Sequence, residues 1–288
     1  VPVLALSACG PEELPTPEPS AAPTTPMAGV SSAQAERILG AVADGVAAAD
    51  KDLDAKALEE RATGPALDQR GAAYAVKKKV KDHDLPPAVA ADDIVVNYTA
   101  ATDTWPRVTS LITSAGDATQ LLVLTQEDPR SDYKLWSQTR LVPGTELPEI
   151  ADARQGSPLL DAEADGYAKT PKQTIADYAK ALGSGADSKE AKSFEADDFA
   201  KSIWANQKEQ RKSAEAGKAS VKFSYDPGNQ IVAQGTAGDA AVVTGVIEAT
   251  STITPQSEGG RTGTLTLSTP QKELTGESST QKPVSTST

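Results

Sequence analysis

Two stretches of helical periodicity, each followed by a run of short alternating strands, set the frame for this chain. Ser31-Ser32-Ala33-Gln34 has the form of a capping box, in which the Ser and Gln side chains satisfy amides that the first helical turn leaves free. Ile38, Val42, Val46 and Ala49 then recur at helical spacing. A second helix is expected over 71–81, followed by strands over 94–98, 107–113, 120–125 and 134–142. Gly116-Asp117 and Pro129-Arg130-Ser131-Asp132 supply turn chemistry between them. The order then returns. Thr170-Pro171-Lys172-Gln173 opens a helix with Pro in its first turn, where the missing N–H costs nothing. Ile175, Tyr178 and Leu182 form its apolar face, and more helix is expected over 194–217. Strands are expected over 221–225, 231–236, 240–253 and 262–268, with Asp226-Pro227-Gly228-Asn229 read as a hairpin turn. Helices grouped ahead of strands argue for α+β, because a parallel sheet needs strands and helices in alternation. The expected layout is a first α+β domain over 31–150, a linker over 151–169 and a second α+β domain over 170–270. The segment 271–288 reads as a polar tail or as a domain end cut short.

The amino-terminal residues Val1 to Gly10 form an apolar run that closes on small residues and Cys9. Leu6-Ser7-Ala8-Cys9 resembles the bacterial lipobox. That resemblance implies a diacylglyceryl group on the Cys9 sulfur, cleavage between Ala8 and Cys9, and Cys9 as the mature amino terminus. The basic start of a signal peptide is missing, so residues 1–9 read as the end of one. Two acyl chains are what stable attachment needs, at about 0.8 kcal/mol per buried methylene. No run of about 20 apolar residues is present to span a bilayer. Pro11, Pro15, Pro17, Pro19, Pro23 and Pro26 punctuate 10–30, which reads as a disordered tether. Pro-rich chain extends about 3.1 Å per residue, giving this tether a reach of roughly 60 Å.

Helices folded over a curved antiparallel sheet resemble the NTF2-like (cystatin-like cone) superfamily. With the lipobox, the Pro-rich tether and two such units, the chain resembles uncharacterised lipoproteins of high-GC Gram-positive bacteria. The resemblance covers residues 31–270 and rests on layout, without a sharp motif. It implies a cone whose interior, in the superfamily's isomerases and cyclases, holds an Asp, Tyr or His. Tyr74, Tyr98, Tyr178 and Tyr225 are the tyrosines that such a cone could use, although packing with the hydroxyl at the surface is the commoner role.

Counting excludes several chemistries. One Cys and one His allow neither an intramolecular disulfide nor a multi-ligand Cys/His zinc site. A net charge of -12 without a basic stripe argues against nucleic acid, whose binding depends on clustered Lys and Arg. Lys77-Lys78-Lys79-Val80-Lys81 is read as a helix C-terminus, where cations offset the dipole. Lys81-Asp82-His83-Asp84 before Pro86-Pro87 is read as a solvated loop, and Gly183-Ser184-Gly185 as a helix end. Asn97-Tyr98-Thr99 matches the glycosylation pattern without meaning in a bacterial lipoprotein. Trp105, Trp136 and Trp204 are expected in the core, and any that is exposed becomes the leading contact residue. No catalytic, cofactor-binding or metal site is assigned. The expectation is an exported, lipid-anchored module on the outer face of the membrane that binds an envelope protein or a small ligand without catalysis. The alternative is an NTF2-like enzyme or small-ligand carrier with an open cone.

Overall fold

The computed structural model describes residues 26–115, 118–146, 148–149, 154–195, 197–258 and 261–288. Ala8, Cys9, the tether up to residue 25 and the Gly116-Asp117 turn lie outside the described residues. The first half carries α1 (Ser32–Asp52), α2 (Ala55–Leu58) and α3 (Gly64–Lys77), then β1 (Ile94–Ala101), β2 (Arg107–Ala115), β3 (Ala118–Gln126) and β4 (Lys134–Arg140). A short strand, β5 (Ser157–Leu160), follows. Next come α4 (Pro171–Ser184), α5 (Asp198–Ala216), β6 (Ala219–Gly235) and β7 (Ala241–Pro255). The remainder is β8 (Ser257–Glu258), β9 (Arg261–Thr262), β10 (Leu265–Thr266), α6 (Thr269–Thr275), β11 (Ser279–Thr280) and β12 (Val284–Ser287). The fold is α+β, with helices packed on a large mixed sheet. No helix among the described residues is long and apolar enough to cross a membrane.

Helix α1 forms where its cap and its stripe agree. The Ser31 side chain accepts from the Gln34 backbone amide, and Gln34 Oε1 accepts from the Ser31 backbone amide at 2.9 Å. Ala35, Leu39, Val42, Val46 and Ala49 are buried along one face, against Leu111, Leu122, Leu124 and Leu135 of the sheet. Each fully buried Leu or Val there contributes roughly 1.5–3 kcal/mol relative to exposure. These side chains fill the space between α1 and the sheet.

Strands β1 to β4 form an antiparallel meander. Its opposite face is covered too. Ala100, Val108 and Val123 point away from α1 and pack with Trp136, Leu159 and Val232. Burial on both faces makes the centre of β3 a continuous apolar run, Leu121 to Leu124.

The halves are joined into one eight-stranded sheet, ordered β12-β7-β6-β5-β1-β2-β3-β4. The joining strand, β5, lies inside the segment 151–169 that sequence assigned to a linker. It pairs parallel with β1 and antiparallel with β6. Four residues beside Gly156 carry no readable alternation, and the strand is held by its neighbours. Gly156 sits at φ +75°, and a Cβ there would lie 2.9 Å from the Ala28 backbone and 3.0 Å from the Ala101 amide. Only glycine lets the chain enter the sheet at this crossing.

Four further expectations need correction. The second helix begins at Gly64, not 71, because Pro65 fits the first turn of α3 rather than breaking it. It ends at Lys77, whose ammonium donates to the His83 carbonyl at 2.7 Å. Asp226-Pro227-Gly228-Asn229 makes no hairpin. Strand β6 runs through it, and the register with β7 slips between Pro227 and Ile231. The breaker residues are absorbed as a bulge, which bends the strand without ending it. Phe194 to Asp197 precedes α5, which Asp197 caps by accepting from the Ala200 amide at 2.6 Å. The segment 262–268 holds only fragments, β9 and β10. The edge strand beyond β7 is instead β12, from the polar tail.

Candidate functional site

A pocket of about 420 Å³ opens where α1 begins, at the end of the filled space between helix and sheet. Three elements bring arginines to it. Arg37 lies on the second turn of α1, Arg61 on the turn after α2, and Arg107 at the start of β2. Arg107 shares strand parity with Thr109 and Leu111, so its side chain follows the face that meets α1. Its guanidinium stacks over the Trp105 ring at 4.4 Å and donates to the Gly29 carbonyl at 3.4 Å. Arg61 pairs with Asp132 at 3.0 Å. Three guanidinium groups against one carboxylate leave two positive charges in a chain that is strongly acidic as a whole.

The inner wall holds buried polar atoms. Tyr133 lines the pocket and is 8% exposed. Behind it the Thr109 hydroxyl faces the Tyr133 oxygen, which leaves the Tyr133 proton and Arg107 Nε–H without an acceptor among the described residues. Burial raises the Tyr133 pKa above that of an ordinary phenol, with the Arg107 charge pulling the other way. Tyr133 is therefore a neutral hydroxyl at physiological pH. Unpaired buried polar groups cost about 1–3 kcal/mol each, so a wall of them is expensive unless something pairs with it. The arrangement can hold an anion and donate hydrogen bonds to it.

A second opening, of about 640 Å³, lies between the halves. Trp136, Gln138 and Thr139 of β4 face the β6 bulge across it, and Phe199 at the start of α5 stands 48% exposed. Thr139 and Phe199 also border a neighbouring hollow with Tyr178 and Asp197, which makes one extended groove. Gly64 lies next to two of its lining residues, Trp136 and Gln230. With φ +53°, Gly64 approaches so near that a Cβ would sit 2.8 Å from Trp136 Nε1 and 2.9 Å from Gln230 Oε1.

The structure scatters the tyrosines named from sequence. Tyr74 donates to Asp50 at 2.6 Å, and Asp50 also accepts both hydrogen bonds from Arg70 Nη1. Arg70, 1% exposed, donates further to Pro87 O and Gln138 Oε1, which pins the 78–93 loop to the sheet. Burial, then Asp50, raises the Tyr74 pKa. Tyr98 donates to the Gln234 carbonyl at 2.9 Å, and burial pushes its pKa up to about 12. Tyr178 donates to Asp197 at 2.9 Å and is raised by burial and then by that carboxylate. Tyr225 accepts from Gln207 Nε2 at 2.8 Å. Each has a structural partner, and none lines the arginine pocket. Trp105 and Trp136 are half-buried, and Trp204 donates to the Ala181 carbonyl at 3.3 Å. His83 is half-buried in its loop. No cluster of three or more His, Cys, Asp or Glu that could hold a metal occurs among the described residues.

Sequence reasoning missed the arginine pocket. Its residues are far apart in the chain, and none forms a motif. The one available signal was Arg107, a charge at inward parity on a strand whose next inward residues are Thr109 and Leu111. Residues 27–267 match the model of a family described as a domain of unknown function (DUF8094). No curated protein and no solved structure matches the chain.

Proposed function

We propose, from the premise that the chain belongs to the DUF8094 family, that it is a lipid-anchored binding module on the outer face of a bacterial membrane. The arginine pocket carries the binding half of this reading. It is a cationic, partly enclosed space with unpaired donors, set beside a cone that Leu39, Leu111, Leu122, Leu124 and Leu135 fill. A filled cone supports a binding role over the isomerase or cyclase type of site. We read each half as an NTF2-like unit: α1 to α3 over β1 to β4, and α4 and α5 over β6, β7 and β12. The source is a high-GC Gram-positive lipoprotein family. The anchor half rests on Leu6-Ser7-Ala8-Cys9 and the tether that follows. A reach of roughly 60 Å would let the folded part meet envelope partners away from the bilayer.

The small-ligand carrier reading draws on the same pocket, whose size suits a compact molecule. The groove with Trp136 and Phe199 favours instead a partner protein. The anchor is tested by expressing the full reading frame in a bacterial host with and without globomycin. Accumulation of a longer precursor, and release of a Cys9→Ala variant from the membrane fraction, are expected. An unchanged mature form under globomycin, with Cys9→Ala still membrane-bound, overturns the anchor.

A further inference from the structure

We infer that the pocket at the start of α1 binds a dianionic oxyanion group of the phosphate class. This deepens the binding half of the reading above and is independent of the anchor. The charge balance carries it first. Arg37, Arg61 and Arg107 against Asp132 leave two positive charges, and a phosphate monoester carries about -1.5 to -2 at pH 7. Donor geometry comes second. A tetrahedral oxyanion presents several acceptor oxygens to planar guanidinium forks, which can grip two at once. Arg107 Nε–H and the proton of the Tyr133 hydroxyl, whose oxygen faces Thr109, are buried donors without an acceptor among the described residues, so the inner wall can supply hydrogen bonds that surface arginines lack. The position comes third. The pocket is bordered by Gln34 and Arg37, in the first two turns of a 21-residue helix whose N-terminal partial charge favours an anion. A bare carboxylate would leave one positive charge uncompensated.

A phosphate of this kind can come from a soluble molecule or from a lipid headgroup, since Gly29 and Val30 at the pocket rim are where the tether arrives. Arg107 stacks on Trp105, so occupation of the pocket is read by tryptophan fluorescence. The full chain carrying Cys9→Ala is titrated with inorganic phosphate, against sodium chloride at equal ionic strength. A saturable change with phosphate alone, absent in Trp105→Phe, is expected. Arg37 is exposed, so Arg37→Gln leaves the fold intact and should weaken binding about tenfold or more. Tyr133→Phe should weaken it several-fold. Sedimentation with phosphatidylcholine vesicles, with and without phosphatidate, separates the sources. Binding to phosphatidate vesicles that Arg37→Gln abolishes assigns the headgroup. Phosphate binding without vesicle binding assigns a soluble ligand. Either supports the proposal. A response no different from chloride together with no phosphatidate dependence overturns it, as does binding that Arg37→Gln, Arg61→Gln and Arg107→Gln all leave unchanged. In that case the anchor reading stands, and the binding reading moves to the groove at Trp136 and Phe199.

Discussion

Replacing Gln234 with Leu should destabilise the whole chain by about 2–4 kcal/mol. Gln234 is 2% exposed, in the part of β6 that packs on the first half. Its Nε2 donates to the Tyr98 carbonyl at 3.0 Å, and its Oε1 accepts from the Ser110 hydroxyl. Leu keeps most of the volume and removes both bonds. The Ser110 hydroxyl, 3% exposed, is then stranded at about 1–3 kcal/mol, and the lost bond to Tyr98 O adds about 1 kcal/mol. With a urea m-value of about 2 kcal/mol per molar, the midpoint should fall by about 1–2 M. Circular dichroism and tryptophan fluorescence should move together in one transition, because β5 and Gln234 tie the halves into one sheet. Adding Ser110→Ala to Gln234→Leu should recover part of the loss, since the stranded hydroxyl is gone. A loss below about 0.5 kcal/mol, or a double variant as unstable as the sum of the singles, would refute the assignment.

Other perturbations follow from the same contacts. Asp50→Ala leaves the buried Arg70 guanidinium without its carboxylate and should cost about 3–5 kcal/mol by urea denaturation, a larger loss than Arg61 or Asp132 substitutions give. Gly64→Ala forces φ +53° on a residue with a Cβ and crowds Trp136. It should cost about 2–4 kcal/mol and shift tryptophan emission. Alkaline pH should destabilise the protein. Folded Tyr74, Tyr98 and Tyr178 keep protons that the unfolded chain releases near pH 10, so the unfolded state binds fewer protons there. Their stabilisation is complete below about pH 10 and, for Tyr98, is lost as pH rises towards about 12. The urea midpoint should fall between pH 9 and 11, and Tyr98→Phe should flatten the fall. A midpoint that rises would contradict the burial of these phenols.

Local signals were legible where one element decides its own state. The Ser31 cap, the α1 stripe and the four strands of the first meander were all present in the sequence, because capping and period are properties of neighbouring residues. Long-range effects were not legible. Ser157 to Leu160 is a strand only because β1 and β6 offer it two ladders. Asp226 to Asn229 stays in a strand because β7 holds both sides of the bulge. The same limit hid the pocket. Arg37, Arg61, Arg107 and Tyr133 meet only after α1 lies across the sheet, and in sequence only the inward parity of Arg107 sets any of them apart. Tyr98 and Tyr178, which did stand out as aromatics, hold the structure together with backbone and cap partners.

The proposal of an anchored binding module is tested most directly by the state of Cys9. The full reading frame should be expressed in a high-GC Gram-positive host, extracted from membranes with detergent, and its amino-terminal peptide weighed. A peptide that begins at Cys9 and carries the mass of a diacylglyceryl group is the result expected. A peptide that retains residues 1–8, or begins at Cys9 with a free thiol, would contradict it.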